Sequence, residues 1–468
     1  MRRSLLIPLA ALAVIGALLL LGFVNQAPLA ARGGARVSSY GPYVKEYDFG
    51  NRNLAPYAIK AASRGYVWFV ASNTSQLFRL DPATGAYVAY KIPSSRTVSA
   101  WGLDEDANGT LWFTSGYENL IWSFDPQNER FSSYAVPRAN AFPGRLLVDP
   151  KGVVWFTEFY APSIGYISPS AHAVRELRVP GLGEKAGTIE LALAGQRLWF
   201  TWVSYEKSDL PGGVGYVDLN TLSVQLLQLS RPLYLASGLT VDPSGRLWLV
   251  QHGPSLLISV DPVTGSVLSY STSAGLVYPS SGNLPYWAVA SDGRVYFNEH
   301  IGNKIGFYSP EARQLVEVKL PLSASGSFVN AIFFSLAPSR DVWFSEVTEG
   351  KVGVVHFPDP LPFQIAALAN QVTLSRGGQA VLPLSVSAKE PVALKFEATG
   401  SMSNNGTLVG IRASFSEAQA SLAAGQAAQL SLLLEATNGA APGRYTLTVT
   451  ASSQYLQVST TLELEVMP

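Results

Sequence analysis

The chain has 468 residues and no cysteine, and its 33 lysines and arginines balance its 33 aspartates and glutamates. The lack of cysteine excludes disulfides, thiol nucleophiles and cysteine-bound zinc, and the lack of a basic excess argues against a nucleic-acid partner. Only 14% of the residues are charged, whereas glycine, proline and aromatic residues are abundant, so we expect a turn-rich, all-β protein of two or three domains.

The N-terminal segment is strongly apolar. Arg2 and Arg3 precede an apolar run from Leu5 to Val24, which as a helix spans the ~30 Å hydrocarbon core of a bilayer. Residues 1–24 therefore predict one N-terminal transmembrane helix, a single-pass anchor in the cell membrane through residues 5–24, with the rest of the chain outside the cell. A cleaved signal peptide and a secreted protein are the alternative. Residues 25–42 are expected to form a flexible linker.

An internal repeat covers residues 43–357. Its marker is a pair of large apolar residues, and successive pairs are 44, 43, 44, 49, 48 and 47 residues apart; the pairs begin at Trp68, Trp112, Trp155, Trp199, Trp248, Tyr296 and Trp343. Each unit contains short apolar runs separated by turn signals, as in a propeller blade. The repeat predicts a seven-bladed β-propeller. The seventh unit lacks a fourth strand, and we expect residues 44–49 to supply it and close the ring.

The segment from residue 361 to 468 differs from the repeat in composition and pattern. It contains no tryptophan and consists of runs with alternating apolar residues, which predict an Ig-like β-sandwich. We expect this domain to act as a spacer or to dock to other surface proteins.

Three short phrases resemble the blade motif of the virginiamycin B lyase (streptogramin lyase) family: Trp155-Phe156-Thr157-Glu158, Trp343-Phe344-Ser345-Glu346 and Asn303-Lys304-Ile305-Gly306-Phe307. The resemblance covers residues 43–357. It implies a site at the rim of the channel in which a histidine is the general base and glutamates with bound magnesium stabilise charge as a ring ester is opened by elimination. The corresponding first positions of the seven units hold no histidine; they are Tyr57, Trp101, Gly144, Thr188 or Ile189, Ser237, Tyr286 and Asn330.

Glutamates and histidines give the candidate catalytic and metal-binding residues. Glu158, Glu299 and Glu346 each follow an aromatic pair, and at one rim Glu299 and Glu346, with Glu158 across the channel, are candidate ligands for Mg²⁺ or Ca²⁺. The alternative is that they accept hydrogen bonds from neighbouring blades. His300, next to Glu299, is a candidate for a displaced base together with Glu299 and Glu346; a surface histidine is the alternative.

Aromatic residues at rim positions give the candidate ligand-binding residues. Tyr57, Trp101, Trp202 and Tyr286, with Asn330 and His252, are expected to form a platform for a glycan or another small molecule, the alternative being plain packing. Three functions therefore stay open. One is a membrane-anchored, cell-surface propeller that binds a ligand at its rim, and the second is a metal-dependent lyase or hydrolase with a non-standard base. The third is a structural component of the cell envelope.

Overall fold

The computed structural model describes residues 30–169, 173–251, 256–273, 285–402 and 410–468. The predicted anchor, residues 1–24, lies outside the described residues. Within the described residues no helix is long and apolar enough to cross a membrane. These residues form seven sheets arranged as the blades of a propeller and a two-sheet sandwich, with two short 3-10 helices, Arg52–Leu54 and Gly116–Glu118. The prediction of an all-β propeller is confirmed.

Blades 1 to 6 each contain four antiparallel strands, counted here from the channel outward. The strands of blades 1 to 3 are Pro56–Ala61, Val67–Ala71, Gln76–Leu80 and Ala86–Lys91; Leu103–Glu105, Leu111–Ser115, Leu120–Asp125 and Arg130–Ala135; and Pro143–Val148, Val154–Glu158, Ser163–Ile167 and Val174–Arg178. The strands of blades 4 to 6 are Ala186–Ala194, Arg197–Ser204, Pro211–Asp218 and Val224–Leu226; Ala236–Val241, Leu247–Gln251, Leu256–Val260 and Val267–Ser271; and Pro285–Ser291, Arg294–Glu299, Lys304–Ser309 and Gln314–Lys319. A short strand, Leu233–Tyr234, also pairs with the third strand of blade 4.

Blade 7 joins the two ends of the propeller. Its first three strands are Phe334–Leu336, Val342–Glu346 and Lys351–Val355, and its fourth strand is Val44–Asp48. Glu46 stands opposite Gly353 in this pairing, so the N-terminal strand closes the ring as expected from the repeat.

Part of the predicted linker is ordered as strands. Ala30–Gly34 pairs with the fourth strand of blade 1, and Arg36–Tyr40 pairs with the fourth strand of blade 7. Residues 30–40 therefore extend two blades by a fifth strand. The pairing satisfies backbone groups at the outer edges of blades 1 and 7, which would otherwise be exposed.

The blade tryptophans are fixed by a turn aspartate that recurs along the chain. In blade 3, Asp149 Oδ1 accepts the backbone N–H groups of Lys151 and Val153, and Asp149 Oδ2 accepts Trp155 Nε1–H at 3.0 Å. Asp106 and Asp242 hold Trp112 and Trp248 in the same way. Because the indole N–H has an acceptor, the large side chain can pack inside the blade without an unsatisfied donor.

The C-terminal part of the chain is a sandwich of two sheets. One sheet contains Phe363–Ala367, Gln379–Ala388, Ala427–Ala436 and Ile411–Phe415, and the other contains Gln371–Ser375, Leu456–Met467, Gly443–Ser452, Val392–Met402 and Gln419–Leu422. Alternate residues of the strands are buried, such as Leu382, Leu384 and Val386, and they form one core with Leu447 and Val449 of the facing sheet.

The sandwich is built directly onto blade 6. Its last strand, Leu456–Met467, pairs antiparallel with the fourth strand of blade 6, with Val316 opposite Val458. One continuous nine-stranded sheet therefore runs from the channel through blade 6 into the sandwich.

Candidate functional site

A pocket of about 530 Å³ opens at the mouth of the channel. It is lined by residues from the beginnings of first strands, from the ends of second strands and from the loops beside them, on blades 1 to 5. In blades 1, 3, 4 and 5 the register between the first and second strands shifts near this rim. Such bulges redirect side chains and are common beside binding sites.

The lining is dominated by aromatic side chains that contact one another. Trp101 packs against Tyr57 with ring centroids 6.2 Å apart and against Phe159 with centroids 5.4 Å apart. Phe142 stacks on Phe159 at 5.7 Å. The aromatic lining residues, which we call the aromatic rim, are Tyr57, Trp101, Tyr117, Phe142, Phe159, Tyr160 and Tyr205.

The aromatic rim is partly open to solvent. Tyr117 and Tyr160 keep 61% and 58% of their surface exposed, which is high for large aromatic residues in a folded protein. Tyr57 lies deeper, and its burial raises the pKa of its hydroxyl. The rim thus has a buried floor and exposed walls, an arrangement suited to holding a flat ligand.

The polar groups of the pocket are few and mostly neutral. Arg96 is the cationic lining residue, and it donates to the carbonyl oxygen of Tyr117 at 3.4 Å. The side chain of Asn119 is already used, because its Nδ2 donates to two carbonyl groups and its Oδ1 accepts Phe142 N–H. None of the lining residues in the described part of the chain is Asp, Glu or His, so the pocket as described offers surface for binding but no side chain that ordinarily acts as a base near pH 7.

Of the other predicted rim residues, Trp202 and Asn330 lie outside the lining of this pocket, and the side chains of the remaining two are not described. Trp202 is half-buried and packs against the core between blades 3 and 4. Asn330 has a left-handed backbone, with φ of 58°, and does not line the pocket. Tyr286 lies in the first strand of blade 6, where only the backbone is described, and His252 lies outside the described residues.

Glu299 is enclosed within blade 6. Its Oε2 lies 2.9 Å from Lys304 Nζ, which also lies 2.8 Å from Glu317 Oε1 on the fourth strand, and all three side chains are fully buried. Burial raises the pKa of Glu299, and Lys304 offsets only part of this effect. Burial by itself lowers the pKa of Lys304, but the two carboxylates outweigh it and raise that pKa. His300 follows in the next turn and is also buried.

Glu346 is fully buried at the equivalent position in blade 7, where the lysine pairs with the other glutamate of the blade. Glu346 faces Glu46 of the fourth strand, whose Oε1 lies 3.0 Å from Lys351 Nζ. Burial, and then the charge of Glu46, raises the pKa of Glu346 well above its ordinary value, while Lys351 lowers it in part.

Glu158 in blade 3 is buried beside Glu176 of the fourth strand. Burial, and then the charge of Glu176, raises the pKa of Glu158 to about 8, although Arg138 acts in the opposite direction. Each of the three glutamates therefore faces partners within its own blade. Within the described residues no group of three or more His, Cys, Asp or Glu side chains is placed to hold a metal ion.

Several of these residues were missed in the sequence, although signals for them exist. Lys304 and Lys351 each follow a glutamate by five residues, a spacing that recurs in two consecutive units. Tyrosines one or two residues after the second strand also recur, as Tyr117, Tyr160 and Tyr205 show. Read together, these repeats would have predicted both the buried ion pairs and the aromatic rim.

An ion pair also lies between the first strands of blades 3 and 4. Arg145 Nε is 3.2 Å from Glu190 Oε2, and the Glu190 side chain is almost fully buried. Burial raises the pKa of Glu190 to about 8, although Arg145 lowers it in part. Both residues fall at the first-strand register shifts of their blades, so the bulges bring opposite charges together.

Comparison with known proteins relates the propeller to one family. Residues 42–271 match the model of the Virginiamycin B lyase family. No curated protein matched the chain. Many solved structures are similar in fold, among them the following three. A streptogramin B lyase is 20% identical with a TM-score of 0.57, covering 68% of this chain and 98% of that chain. Virginiamycin B lyase from Staphylococcus aureus is 16% identical with a TM-score of 0.55, covering 70% and 99%.

The third structure is a catalytically inactive variant of the Staphylococcus aureus virginiamycin B lyase with quinupristin. It is 18% identical with a TM-score of 0.56, covering 67% of this chain and 99% of that chain. At these identities the likeness establishes the fold of the propeller. Together, the family match and the shared fold show that this chain carries a virginiamycin B lyase-like β-propeller.

Proposed function

We propose that the aromatic rim binds a small molecule with a flat apolar face, such as a sugar ring or an aromatic group of a macrocycle. The observation that carries the proposal is the pocket of about 530 Å³ lined by seven aromatic side chains. Its size falls within the range of about 300–1,000 Å³ that is usual for small-molecule sites. Aromatic faces stack on such ligands, and Arg96 supplies a donor for a peripheral oxygen.

Binding is favoured over catalysis by the chemistry of the lining. Proton abstraction needs a base near the reacting carbon, and the described lining residues include no carboxylate or imidazole. Glu299, one of the predicted catalytic and metal-binding residues, forms a buried ion pair with Lys304. Glu346, another of them, is fully buried beside Glu46, whose carboxylate pairs with Lys351. In blades 6 and 7 a lysine ammonium group therefore already lies among the carboxyl groups for which a Mg²⁺ or Ca²⁺ ion was expected.

The rest of the chain fits a role outside the cell. We propose that residues 1–24 anchor the protein in the membrane, so that the propeller is displayed at the cell surface, and that the sandwich is an Ig-like accessory domain. The apolar run from Leu5 to Val24 supports the first part, and the two-sheet arrangement of the C-terminal strands supports the second.

The binding proposal can be tested by titrating the protein with two probes, quinupristin and cellohexaose, and following tryptophan fluorescence. We expect at least one probe to bind. The Trp101→Ala and Tyr160→Ser variants should weaken that binding by about tenfold each, since central aromatic contacts dominate affinity. Tyr66 is an aromatic residue with 38% of its surface exposed, and it is not part of the pocket lining; Tyr66→Ala serves as the control and should bind as the wild type does.

The same samples distinguish binding from the lyase alternative. Mass spectrometry of quinupristin after incubation should show the intact ring. A ring-opened product of unchanged mass would instead reveal an elimination, and a product heavier by one water a hydrolysis. If neither probe bound, or if both pocket variants bound as tightly as the wild type, the aromatic rim would not be the ligand site.

A further inference from the structure

Three blades carry structurally equivalent pairs of glutamates. In each, one glutamate ends the second strand and the other lies on the fourth strand opposite a glycine of the third strand. The pairs are Glu158 with Glu176 in blade 3, Glu299 with Glu317 in blade 6, and Glu346 with Glu46 in blade 7. The shared register means that each pair has the same place in its blade.

Two of the three pairs contain a built-in cation. Lys304 and Lys351 are the first residues of the third strands in blades 6 and 7. Lys304 Nζ lies within 2.9 Å of an oxygen from each of its two glutamates, and Lys351 Nζ lies 3.0 Å from Glu46. A buried pair of carboxylates is costly without such a charge, so the lysine compensates for the repulsion within the pair.

Blade 3 has a serine at the equivalent position. Ser163 begins the third strand and follows Glu158 by five residues, as the two lysines follow their glutamates. A serine hydroxyl is uncharged and lies one bond beyond Cβ, so it cannot replace the ammonium group of a lysine. The remaining nearby cation, Arg138, donates to the exposed Glu184.

The pair in blade 3 therefore lacks the lysine that contacts Glu299 and Glu317 in blade 6 and Glu46 in blade 7. The Glu158 side chain is fully buried, and neither of its oxygens accepts a hydrogen bond from a donor in the described part of the chain. Glu176 is partly exposed, and its Oε1 accepts the backbone N–H of Arg138. This leaves carboxylate oxygens from two strands facing each other, with access from the side of Glu176.

We propose that blade 3 binds a calcium ion between Glu158 and Glu176, in the position that a lysine ammonium group takes in blades 6 and 7. A divalent ion balances two carboxylates, and Ca²⁺ accepts oxygen ligands in flexible geometry. The Ser163 hydroxyl is a further oxygen close to this position. The site differs from the metal site expected at the rim, because it lies within one blade and does not involve Glu299 or Glu346. It is also independent of ligand binding at the aromatic rim.

Isothermal titration calorimetry of the full chain with CaCl₂ at pH 8, after treatment with a chelator, tests the proposal. We expect one site per chain in the wild type and loss of that site in Glu158→Gln. Ser163→Lys supplies the cation covalently, so this variant should bind no calcium and should unfold at a higher temperature than the calcium-free wild type. Glu184→Gln removes a nearby exposed carboxylate and is the control that should retain the site.

Using both Glu158→Gln and Ser163→Lys also distinguishes loss of calcium binding from loss of folding. If Glu158→Gln fails to fold, Ser163→Lys still decides, because it is expected to be more stable and yet unable to bind calcium. The proposal is overturned if the wild type binds no calcium, or if Ser163→Lys binds it as the wild type does. A melting temperature of the wild type that depends on pH but not on calcium would show that the two carboxyl groups share a proton instead.

Discussion

Buried carboxylates are the unusual residues of this propeller. Glu158, Glu190, Glu299 and Glu346 are each at most 1% exposed in a chain where only 14% of the residues are charged. Three of them face a lysine or arginine, and in every one burial is the largest influence and raises the pKa. With pKa values raised to about 8, Glu158 and Glu190 are expected to hold a proton at neutral pH in the folded protein and to release it on unfolding.

Glu190 allows this effect to be measured. Its pKa is about 8 in the folded protein against an ordinary value of 4.5, so between these values the folded state binds more protons than the unfolded state. The free energy of unfolding should therefore fall as the pH rises from about 4.5 to 8. In Glu190→Gln this decline should be shallower by up to roughly 1.4 kcal/mol per pH unit. Urea denaturation at pH 5.5, 7.0 and 8.5 measures both slopes.

A substitution at an exposed glutamate is the control for this measurement. Glu311 is exposed, and Glu311→Gln should follow the wild type at all three pH values. The other buried glutamates remain in Glu190→Gln, so part of the slope must persist. Equal slopes in the wild type and Glu190→Gln would mean that Glu190 is ionised in the folded protein.

At the scale of residues, the periodicity of the sequence predicts where a side chain lies in its blade better than it predicts which side chains that residue contacts. Tyr57 and Trp101 were expected at the rim from their place in the repeat, and both line the pocket. Trp202 occupies a comparable place but packs into the core, because the second strand of blade 4 is longer and runs to Ser204. That Glu317 shares Lys304 with Glu299 could not be predicted, since it depends on the register of the fourth strand against the third.

At the scale of elements, one turn explains why the repeat is so regular. Asp149 closes the turn between the first and second strands through two backbone N–H groups and also accepts the Trp155 indole N–H. A single carboxylate therefore sets both the turn and the orientation of the blade's largest core residue. The aspartate and the tryptophan are six residues apart in three blades, and this spacing is visible in the sequence.

Asp149→Asn tests the double role of the carboxylate. The amide oxygen of the new side chain would still accept the backbone N–H groups, but its NH₂ group would face the indole N–H, which is also a donor. We expect the free energy of unfolding to fall by about 1–3 kcal/mol because a buried donor loses its acceptor. Asp125 holds a turn between a third and a fourth strand without an indole partner, so Asp125→Asn should cost less. Urea denaturation followed by tryptophan fluorescence measures both, and equal losses would show that the indole contact is unimportant.

The elements themselves could be predicted because each blade is local in the sequence, with neighbouring strands joined by short turns. The extra strands that extend the blades could not be predicted from the sequence. The fifth strands formed by residues 30–40 lie in a segment rich in glycine and alanine that has no clear alternation. What orders these residues is the open outer edge of a blade rather than their own side chains.

At the scale of the whole molecule, the propeller and the sandwich share one sheet. The sequence predicts two modules that change texture near residue 360, yet Leu456–Met467 pairs with the fourth strand of blade 6. The sandwich also contacts the neighbouring blade 5. The hydroxyl groups of Thr399, Thr446 and Thr448 donate to backbone carbonyls at or just beyond the fourth strand of that blade. Such a long-range pairing leaves no local pattern, so it could be found only in the structure.

The shared sheet predicts that the two parts unfold together. Calorimetry of the wild type should show one cooperative transition in which the sandwich and the propeller melt as a unit. In a triple variant, with Thr399, Thr446 and Thr448 each changed to valine, shape is kept and three hydrogen bonds are lost. The junction should weaken by about 2–4 kcal/mol, so the transition should move to lower temperature and broaden or split into two.

A threonine within the sandwich provides the matched control for this experiment. The hydroxyl of Thr450 is hydrogen-bonded to that of Ser459 on the neighbouring strand of the same sheet, so Thr450→Val changes the sandwich without touching its contact with blade 5. This variant should shift the transition without splitting it. Two separate transitions in the wild type would show that the continuous sheet does not couple the two parts. Identical thermograms for the triple variant and the control would show that the threonine contacts with blade 5 do not contribute to the coupling. One transition that splits only in the triple variant would show that the sandwich supports blades 5 and 6 from outside, next to blade 7, which the N-terminal strand closes.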